Sequence, residues 1–286
     1  MPEGDTIWRT ANRLNEALAG ELIIDADLRW PGISTADLRG MRTLQVVSRG
    51  KNLLHRLDAG LTIHSHLRME GQWRVESTEG LAKRALANPQ LRAVLATARW
   101  TALGLRLGTL HLLATSDEGR LLGHLGPDVL GPDWDPAEAA KRLAACSTPI
   151  GSALLDQRNL AGVGTLYASE ALFLERLSPW HPAAGLAGAQ ISQLVERVHR
   201  LLDVNRDNAI QSTTGVQRRS ETTYVHGRSG RPCRRCGDVV RVSSLGLPPQ
   251  DRAFFYCPTC QGGLAPGDQG RRQGPLGYST NRKVRR

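Results

Sequence analysis

The chain lacks the features that would place it in a membrane or outside the cell. No apolar run among its 286 residues approaches the ~18 residues that a transmembrane helix needs. It begins with MPEGD, which is not a basic segment followed by an apolar one, so we expect no signal peptide and a cytoplasmic location. Hydrophobic residues are 40% and charged residues 22% of the chain, which excludes fibrous and disordered classes. At ~150 residues per domain, the length predicts about two domains.

Acidic residues are scarce relative to basic ones. Lys and Arg number 37 against 27 Asp and Glu, a formal net charge of +10. Such a chain favours a polyanionic partner, nucleic acid first and an anionic membrane surface second, with a merely solvated basic surface as the alternative. Nucleic acid is favoured because the charge is concentrated in the last third of the chain. From residue 218 onward the basic residues are Arg218, Arg219, Arg228, Arg231, Arg234, Arg235, Arg241, Arg252, Arg271, Arg272, Arg282, Lys283, Arg285 and Arg286.

Cysteine is rare, but four of the five cysteines form two close pairs. One C-x-x-C pair is Cys233 and Cys236, and the other is Cys257 and Cys260. Disulfides are not expected in a chain without an export signal, whereas two such pairs are typical of a structural zinc site with four thiolate ligands. Two unrelated redox pairs are disfavoured because neither pair follows a strand and opens a helix. The spacing therefore predicts one structural Zn²⁺.

Periodicity predicts strands in the first part of the chain. A helix is expected to start at Asp5, as its cap, and to end near Leu18. Short runs rich in Ile, Leu and Val then follow, broken by Gly or Pro, as is typical of strands. A helical or irregular excursion is expected at residues 81–100. Residues 1–125 are thus predicted to form a β-sandwich opened by one helix.

The pattern becomes helical from Asp135 to about Asn208. Asp135 precedes Pro136, as a cap followed by Pro at the first helical position, and residues 156–173, DQRNLAGVGTLYASEALF, predict a Gly-bearing turn between two helices. Residues 207–224 are polar and predict a loop or linker. The cysteine pairs place a zinc module at 225–261, and the Gly-rich, basic tail at 262–286 is predicted to be disordered.

Together these segments resemble the formamidopyrimidine-DNA glycosylase / endonuclease VIII family of base-excision repair enzymes. PEGDT looks like the start of the endonuclease VIII branch, residues 156–173 resemble the helix–two-turns–helix DNA-binding motif, and VHGRSGRPCRRCG with RAFFYCPTCQ is similar to the C-terminal zinc finger. The likeness covers residues 2–261 in the expected order. It implies an α+β multidomain fold with a catalytic β-sandwich (1–125), a helical helix–two-turns–helix domain (126–224) and a zinc-finger β-hairpin (225–261).

The resemblance also implies catalytic residues. Pro2, exposed by removal of Met1, is the implied nucleophile; a free α-amine has a pKa of ~7.7–8, so a useful fraction is neutral at physiological pH. Glu3 is the implied general acid, Lys51 a phosphate contact that assists proton transfer, and Arg252 a clamp on the phosphates that flank the lesion. The ordinary alternatives are an unreactive terminal residue for Pro2, a carboxylate that favours the helix dipole for Glu3 and a solvated hairpin lysine for Lys51.

An enzyme that acts on a base must flip the nucleotide out of the duplex and fill the gap. Arg68 and Met69 match the loop that fills this gap in the family, and a Met side chain is a suitable wedge between bases. The alternative for Met69 is that it fills the core. His124 and Thr165 stand where the family usually has an Arg and an Asn that contact phosphate, and Thr6 replaces a frequent acidic residue. We therefore predict an active enzyme with an altered DNA grip or lesion preference.

The predicted function is a bifunctional DNA glycosylase and AP lyase. It excises oxidised bases, with pyrimidines favoured by the endonuclease VIII-like start, through a Schiff base on Pro2, and cleaves the strand by β,δ-elimination. The alternative is a non-catalytic zinc-ribbon nucleic-acid-binding protein, which would have no use for Pro2, Glu3 or Lys51. The expected partner is damaged DNA, with no membrane and no small-molecule cofactor. The chain is expected to be a monomer associated with the nucleoid of a bacterial cytoplasm.

Overall fold

The structure, a computed structural model, describes residues 2–218, 220–249 and 251–274. It divides into two compact units, Met1–Trp134 and Asp135–Arg286. Residues 275–286 of the predicted tail lie outside the described residues. The predicted domain boundaries after residues 125, 224 and 261 stay predictions.

The first unit opens with helix α1, Gly4–Leu18. Its buried apolar residues recur every three or four positions, so they lie on one face of the helix: Ile7, Ala11, Leu14 and Leu18. On a neighbouring strand, Thr43–Arg49, the Val46 N–H donates to the Asn15 side chain at 2.8 Å. The predicted cap at Asp5 is wrong, because Glu3 occupies the cap position and Asp5 is buried in the first turn.

A β-sandwich follows the helix, as predicted. In residues 20–134, eight strands form two antiparallel sheets with the orders β1-β6-β7-β5 and β2-β3-β4-β8. The strands are β1 Asp25–Leu28, β2 Thr43–Arg49, β3 Asn52–Leu57, β4 Leu61–His66, β5 Gln72–Ser77, β6 Leu91–Ala96, β7 Trp100–Leu105 and β8 Thr109–Ala114. Two short helices, α2 Lys83–Leu86 and α3 Glu118–Leu122, flank them. Apolar side chains of α1 and of both sheets form one core.

The excursion predicted at residues 81–100 is wrong for residues 91–96, which form strand β6. In the segment LRAVLA, five of the six residues are buried. A strand covered on both faces has no alternation of apolar and polar residues, so periodicity alone does not separate it from a buried helix.

The second unit begins with four helices. They are α4 Pro136–Ala144, α5 Ile150–Leu155, α6 Thr165–Leu174 and α7 Gly188–Asp203. Asp135 caps α4 as predicted, since its carboxylate accepts the N–H groups of Ala137 and Glu138 at 2.9 Å each. Residues 156–164 connect α5 to α6, which agrees with the predicted turn between two helices.

A two-stranded antiparallel hairpin of β9 (Arg241–Leu245) and β10 (Arg252–Tyr256) follows. Residues 262–274 pack against it, so their predicted disorder is wrong. The Asp268 carboxylate accepts two bonds of 2.6 Å from Arg241 and one of 2.8 Å from the Tyr256 hydroxyl. The Gln273 amide bonds both main-chain groups of Val242, at 2.9 and 3.0 Å. Composition does not show these specific pairings, which is why the segment was expected to lack structure.

Candidate active site and metal centre

The chain's first described residues are an imino acid, Pro2, and a buried carboxyl, Glu3. Pro2 is half-buried and precedes α1, and Glu3 occupies the helix cap position with a side chain that is 0% exposed. The neighbouring Asp5 is also 0% exposed. Negative charge is favoured at the amino end of a helix. Once Met1 is removed, this turn would hold a secondary amine next to an acid that is withdrawn from water.

The turn between β2 and β3 carries Lys51, which is half-buried. Gly50 adopts a left-handed conformation, with φ of 57°, which glycine adopts without steric cost. Its N–H donates to the Asp128 carboxylate at 2.8 Å. On the other side of the lysine, the Asn52 side-chain amide donates to the Arg49 carbonyl at 3.1 Å. Both bonds hold the same peptide group, between Arg49 and Gly50, so the backbone that leads into Lys51 is fixed by side chains.

Asp128 is a functional candidate that sequence reasoning missed, because no spacing pattern marks it. It is only 2% exposed. Burial raises the pKa of its carboxyl, and the N–H groups of Gly50 and Leu130 oppose that rise. The nearby Asp133 pairs with the Arg49 guanidinium. Asp128 and Asp133, both in the segment after α3, thus bond Gly50 and Arg49, the two residues before Lys51.

The segment after β4 carries Arg68 and Met69. Met69 is 67% exposed, so the alternative that it fills the core is wrong. Arg68 has a φ of 51°, its N–H donates to His66 Nδ1 at 2.9 Å, and its stem lies so close over Gly108 that a Cβ there would come within 2.2 Å of Arg68 Cγ. The loop is therefore anchored at Arg68 and presents an apolar side chain to solvent.

His66 links the Lys51 turn to the Arg68 loop. Burial lowers the pKa of its imidazole, and the charges of Lys51 and Arg68 lower it further. In the strand register His66 stands opposite Asn52, the residue that follows Lys51. His64 and His66 are residues of strand β4, as predicted.

The other predicted contact residues lie apart along the chain. His124 is exposed and follows α3, and Thr165 is the half-buried first residue of α6. Arg252 is exposed at the start of β10, where it pairs with Leu245 in the strand register. One Arg252 N–H donates to the Asp251 carbonyl at 3.0 Å.

The four paired cysteines come together as predicted. Their sulfur atoms all lie within 4.8 Å of one another, with Cys236 and Cys257 at 3.4 Å and Cys233 and Cys260 at 4.0 Å. Four thiolates at the tetrahedral Zn–S distance of about 2.3 Å would be ~3.8 Å apart, so the spacing fits. Burial raises the pKa of the Cys257 thiol, so a cation among the sulfurs is what would favour its thiolate form. The cluster can hold one metal ion.

Several arginines near this cluster serve the protein's own backbone. Arg234 donates to the carbonyls of Thr223 and Ser220 at 3.0 and 2.9 Å. Arg235 donates to the Phe173 carbonyl at 3.0 Å and lies 4.3 Å over that ring. These side chains stabilise the second unit, so the concentration of positive charge in the last third of the chain overstates the surface that can contact a polyanion.

Glu170 is a second residue that sequence reasoning missed. It is 0% exposed in the apolar helix α6. Its carboxylate accepts the consecutive N–H groups of Tyr224, Val225 and His226 at 2.8, 2.7 and 2.7 Å, and a bond from the Thr213 hydroxyl. Burial raises the pKa of this carboxyl, while these bonds oppose the rise. A single acidic residue in a run of apolar ones was the available signal for such a buried anchor.

Comparison with known proteins places both units. Residues 1–108 match the formamidopyrimidine-DNA glycosylase N-terminal domain, and residues 125–218 match the formamidopyrimidine-DNA glycosylase H2TH domain. The chain is 47% identical to probable endonuclease 8 2 of Streptomyces coelicolor, over 95% of this chain and 98% of that protein. It is 40% identical to the DNA-(apurinic or apyrimidinic site) lyase Nei2 of Mycolicibacterium smegmatis, over 91% and 99%.

The chain belongs to the formamidopyrimidine-DNA glycosylase / endonuclease VIII family. The crystal structure of the Lactococcus lactis formamidopyrimidine-DNA glycosylase, bound to DNA that contains an AP site, is similar with a TM-score of 0.76, at 22% identity over 91% of this chain and 99% of that one. That likeness bears on the fold. The predicted family, fold class and enzyme class, a DNA glycosylase and AP lyase of base-excision repair, are therefore confirmed at the level of the family.

The candidate residues are divided between the two units. The sandwich carries Pro2, Glu3, Lys51 and the Arg68 loop, and the second unit carries Thr165, Arg252 and the cysteine cluster. Within the described ranges, none of the helices combines the length and apolar character needed to cross a bilayer.

Proposed function

We propose that this protein excises oxidised bases, pyrimidines foremost, through a Schiff base on Pro2 and then cleaves the strand by β,δ-elimination. The family's relatives support it, since they carry the names endonuclease 8 and AP lyase. The buried Glu3 carboxyl carries the proposal, because it is a potential proton donor withdrawn from solvent and follows directly on Pro2, the residue that removal of Met1 would expose. The endonuclease VIII-like PEG start is the ground for pyrimidines.

The first step breaks the bond to the base. Removal of Met1 frees the Pro2 nitrogen, whose lone pair attacks the sugar C1′ while the electrons of the glycosidic bond leave with the base, which takes up the proton that the attacking nitrogen loses. Glu3 donates a proton as the sugar ring opens, help that is typically worth ~10²–10⁴-fold. Because proline is a secondary amine, the resulting iminium keeps its positive charge without a proton. That charge makes the C2′ hydrogen acidic.

The second step breaks the strand. Loss of the C2′ proton forms a double bond to C3′ and expels the 3′ phosphate, and a second elimination expels the 5′ phosphate. Lys51, on its fixed turn, would contact phosphate and assist proton transfer. Arg252, at the start of β10, offers a guanidinium fork that suits a phosphate flanking the lesion. Water then releases the sugar fragment from Pro2.

The ion that we propose for the cysteine cluster is Zn²⁺, held by Cys233, Cys236, Cys257 and Cys260. Four thiolates leave no open coordination position, so the metal would be structural and take no part in the reaction. Its effect would be to fix the hairpin that presents Arg252.

We assign the DNA grip to four further residues. The exposed Met69 would enter the space left by the flipped nucleotide, and Arg68 would bond the orphaned partner base. His124 and Thr165 would contact phosphate more weakly than the family's usual Arg and Asn, since each offers fewer hydrogen-bond donors than the residue it replaces. A monomeric state and a cytoplasmic location stay predictions.

Borohydride trapping on an abasic duplex tests the proposed nucleophile. The native protein should form a covalent adduct, and Pro2→Gly or an extension that blocks the Pro2 nitrogen should lower its yield at least tenfold. The same extension at the other end of the chain is the matched control and should leave trapping unchanged. If neither form is trapped, the non-catalytic zinc-ribbon alternative replaces the enzyme; if the blocked form still nicks DNA, Pro2 is not the nucleophile.

Substrate choice needs its own test. We expect duplexes that carry an oxidised pyrimidine to be cut at least tenfold faster than those with an oxidised purine, in single turnover at equal enzyme. A bubble substrate alongside each duplex separates lesion preference from strand preference. Faster cleavage of the purine lesion would contradict the assignment to pyrimidines and leave the Schiff-base step intact.

A further inference from the structure

One face of the sheet β2-β3-β4-β8 joins polar side chains from strand to strand. His64 on β4 stands opposite His111 on β8, with 3.2 Å between their Nδ1 atoms and 5.4 Å between the stacked rings. His64 Nε2 lies 2.9 Å from Asn52 Oδ1. The Asn52 amide nitrogen in turn donates to the Arg49 carbonyl at 3.1 Å. The contacts form a continuous His111–His64–Asn52 network that ends at the turn carrying Lys51.

The direction of each hydrogen bond in this network follows from the Asn52 amide. Its nitrogen faces a carbonyl, so its oxygen must face His64 and accept the bond; a flipped amide would place two oxygens together. His64 Nε2 therefore carries a proton. Burial, followed by the charges of His111 and His66, lowers the pKa of His64 to about 4, so the ring is neutral and its Nδ1 accepts. His111 must then be the Nδ1–H tautomer that donates to His64.

The network and Asp128 bond the two polar groups of one peptide unit, the unit between Arg49 and Gly50 that leads into Lys51. Asn52 holds the Arg49 carbonyl, and the Asp128 carboxylate holds the Gly50 N–H at 2.8 Å. His64 is 3% exposed, and burying a polar ring is unfavourable unless its nitrogens are bonded. An apolar side chain at this position would pack without that cost. A histidine at position 64 therefore serves to orient Asn52, because burial alone would favour an apolar residue.

We infer that His64 is a positioning residue for Lys51, acting through Asn52, and that His111 fixes the tautomer of His64 that this role requires. The inference rests on the proposed role of Lys51 in strand cleavage. Without the His64 donor, the Asn52 amide is free to rotate, the Arg49 carbonyl loses its partner and the Lys51 ammonium shifts. The elimination step then slows, while attack by Pro2 is preserved.

Two substitutions at His64 separate positioning from packing. His64→Leu removes both nitrogens, whereas His64→Gln keeps a donor near the place of Nε2. In single turnover on an abasic duplex, His64→Leu should slow β-elimination about ten- to hundredfold, since a misplacement of ~1 Å can cost ~10²-fold. Schiff-base formation, measured by borohydride trapping, should change less than about twofold. His64→Gln should restore most of the elimination rate.

Asn52→Ala should reproduce the His64→Leu defect, and the double variant should be no slower than either single one, because both changes break one network. His55→Leu is the matched control: His55 is also a buried histidine of this sheet, but it bonds Thr43 at 2.8 Å. It should lower stability with no selective loss of elimination. Equal loss of both steps in His64→Leu, no rescue by Gln, or a selective loss in His55→Leu would overturn the inference.

Histidine tautomers give a test that does not depend on activity. In ¹⁵N-labelled native protein at pH 7, His64 should be protonated at Nε2 and His111 at Nδ1, and a proton on His64 Nδ1 would refute the network. Lys51→Ala separates this inference from the proposed function. If Lys51→Ala leaves elimination unchanged, the role of Lys51 fails; if it slows elimination and His64→Leu does not, only the network fails.

Discussion

The β-sandwich and the β9–β10 hairpin with its cysteine cluster are stabilised in different ways. Among the described residues, the sandwich core contains seventeen buried apolar side chains from α1, both sheets and the segments that connect them. The core beneath the hairpin contains six buried residues, and two of them are the cysteines Cys233 and Cys257. Burial of apolar area stabilises by about 25 cal/mol per Å², so the first region can rely on its core. The second depends on directed polar bonds and, as we propose, on a metal.

This difference matters for function because the two regions hold different groups. The sandwich carries the turn of Lys51 and the first residues of α1, which are held by a large core. The hairpin carries Arg252, and its support comes from the cysteine cluster and from the Arg241–Asp268 ion pair, whose side chains are 7% and 6% exposed. Loss of a single polar partner should therefore damage the hairpin far more than the sandwich.

Loss of the metal should have the largest effect. Metal binding supplies on the order of 10 kcal/mol in isolated zinc modules, so Cys257→Ser should lose the ion and unfold the hairpin while the sandwich stays folded. Trp180 reports on the hairpin, because its ring lies 4.7 Å from Tyr256, so its fluorescence should change. Cys146→Ser, outside the cluster, should keep one zinc per chain. A folded hairpin in metal-free Cys257→Ser would contradict the proposed dependence on zinc.

The contrast also explains what could be predicted from sequence. The helix of residues 5–18 and the pairs of cysteines follow short-range patterns, and both are present in the structure. Asp128 and Glu170 were not predicted because each accepts hydrogen bonds from backbone N–H groups far away in the chain, at Gly50 and at residues 224–226. A pattern shows which residues share a face, but it does not show which main-chain groups a loop will leave in need of a partner.

The second largest effect is expected at Glu170. Glu170→Gln places an N–H₂ group among donors and leaves buried N–H groups without an acceptor, which should lower the free energy of unfolding by about 3 kcal/mol. Glu175→Gln is the matched control, since Glu175 ends the same helix and bonds Arg197 at 2.6 Å near the surface; its loss should be below about 1 kcal/mol. Urea unfolding, followed by a signal from the second unit, measures the loss of stability in both variants. Equal losses would remove Glu170 as a special anchor.

A smaller effect is expected at His55, a buried polar residue of the sandwich. Burial lowers the pKa of His55 to about 4, below the ~6.5 of an unfolded histidine. The unfolded chain therefore binds more protons between these values, and stability falls as pH decreases through that window. Between pH 7 and pH 5 His55 should account for about 2 kcal/mol of the loss. Comparing native protein with His55→Gln at both pH values by urea unfolding checks this, and an equal pH dependence in both would contradict it.

The smallest effect should come from a local bond that involves neither core nor metal. The Asp135 carboxylate caps α4 by accepting two N–H groups at 2.9 Å, and loss of such a cap typically costs ~1 kcal/mol. Asp135→Ala should therefore lower the stability of the second unit by about that amount, while Asp135→Asn, which keeps an acceptor, should cost a few tenths. Zinc content should not change in either variant, because α4 contributes no ligand. A loss of zinc on removing this cap would mean that the helices and the hairpin unfold together, and that the hairpin's support is shared more widely than its own polar bonds.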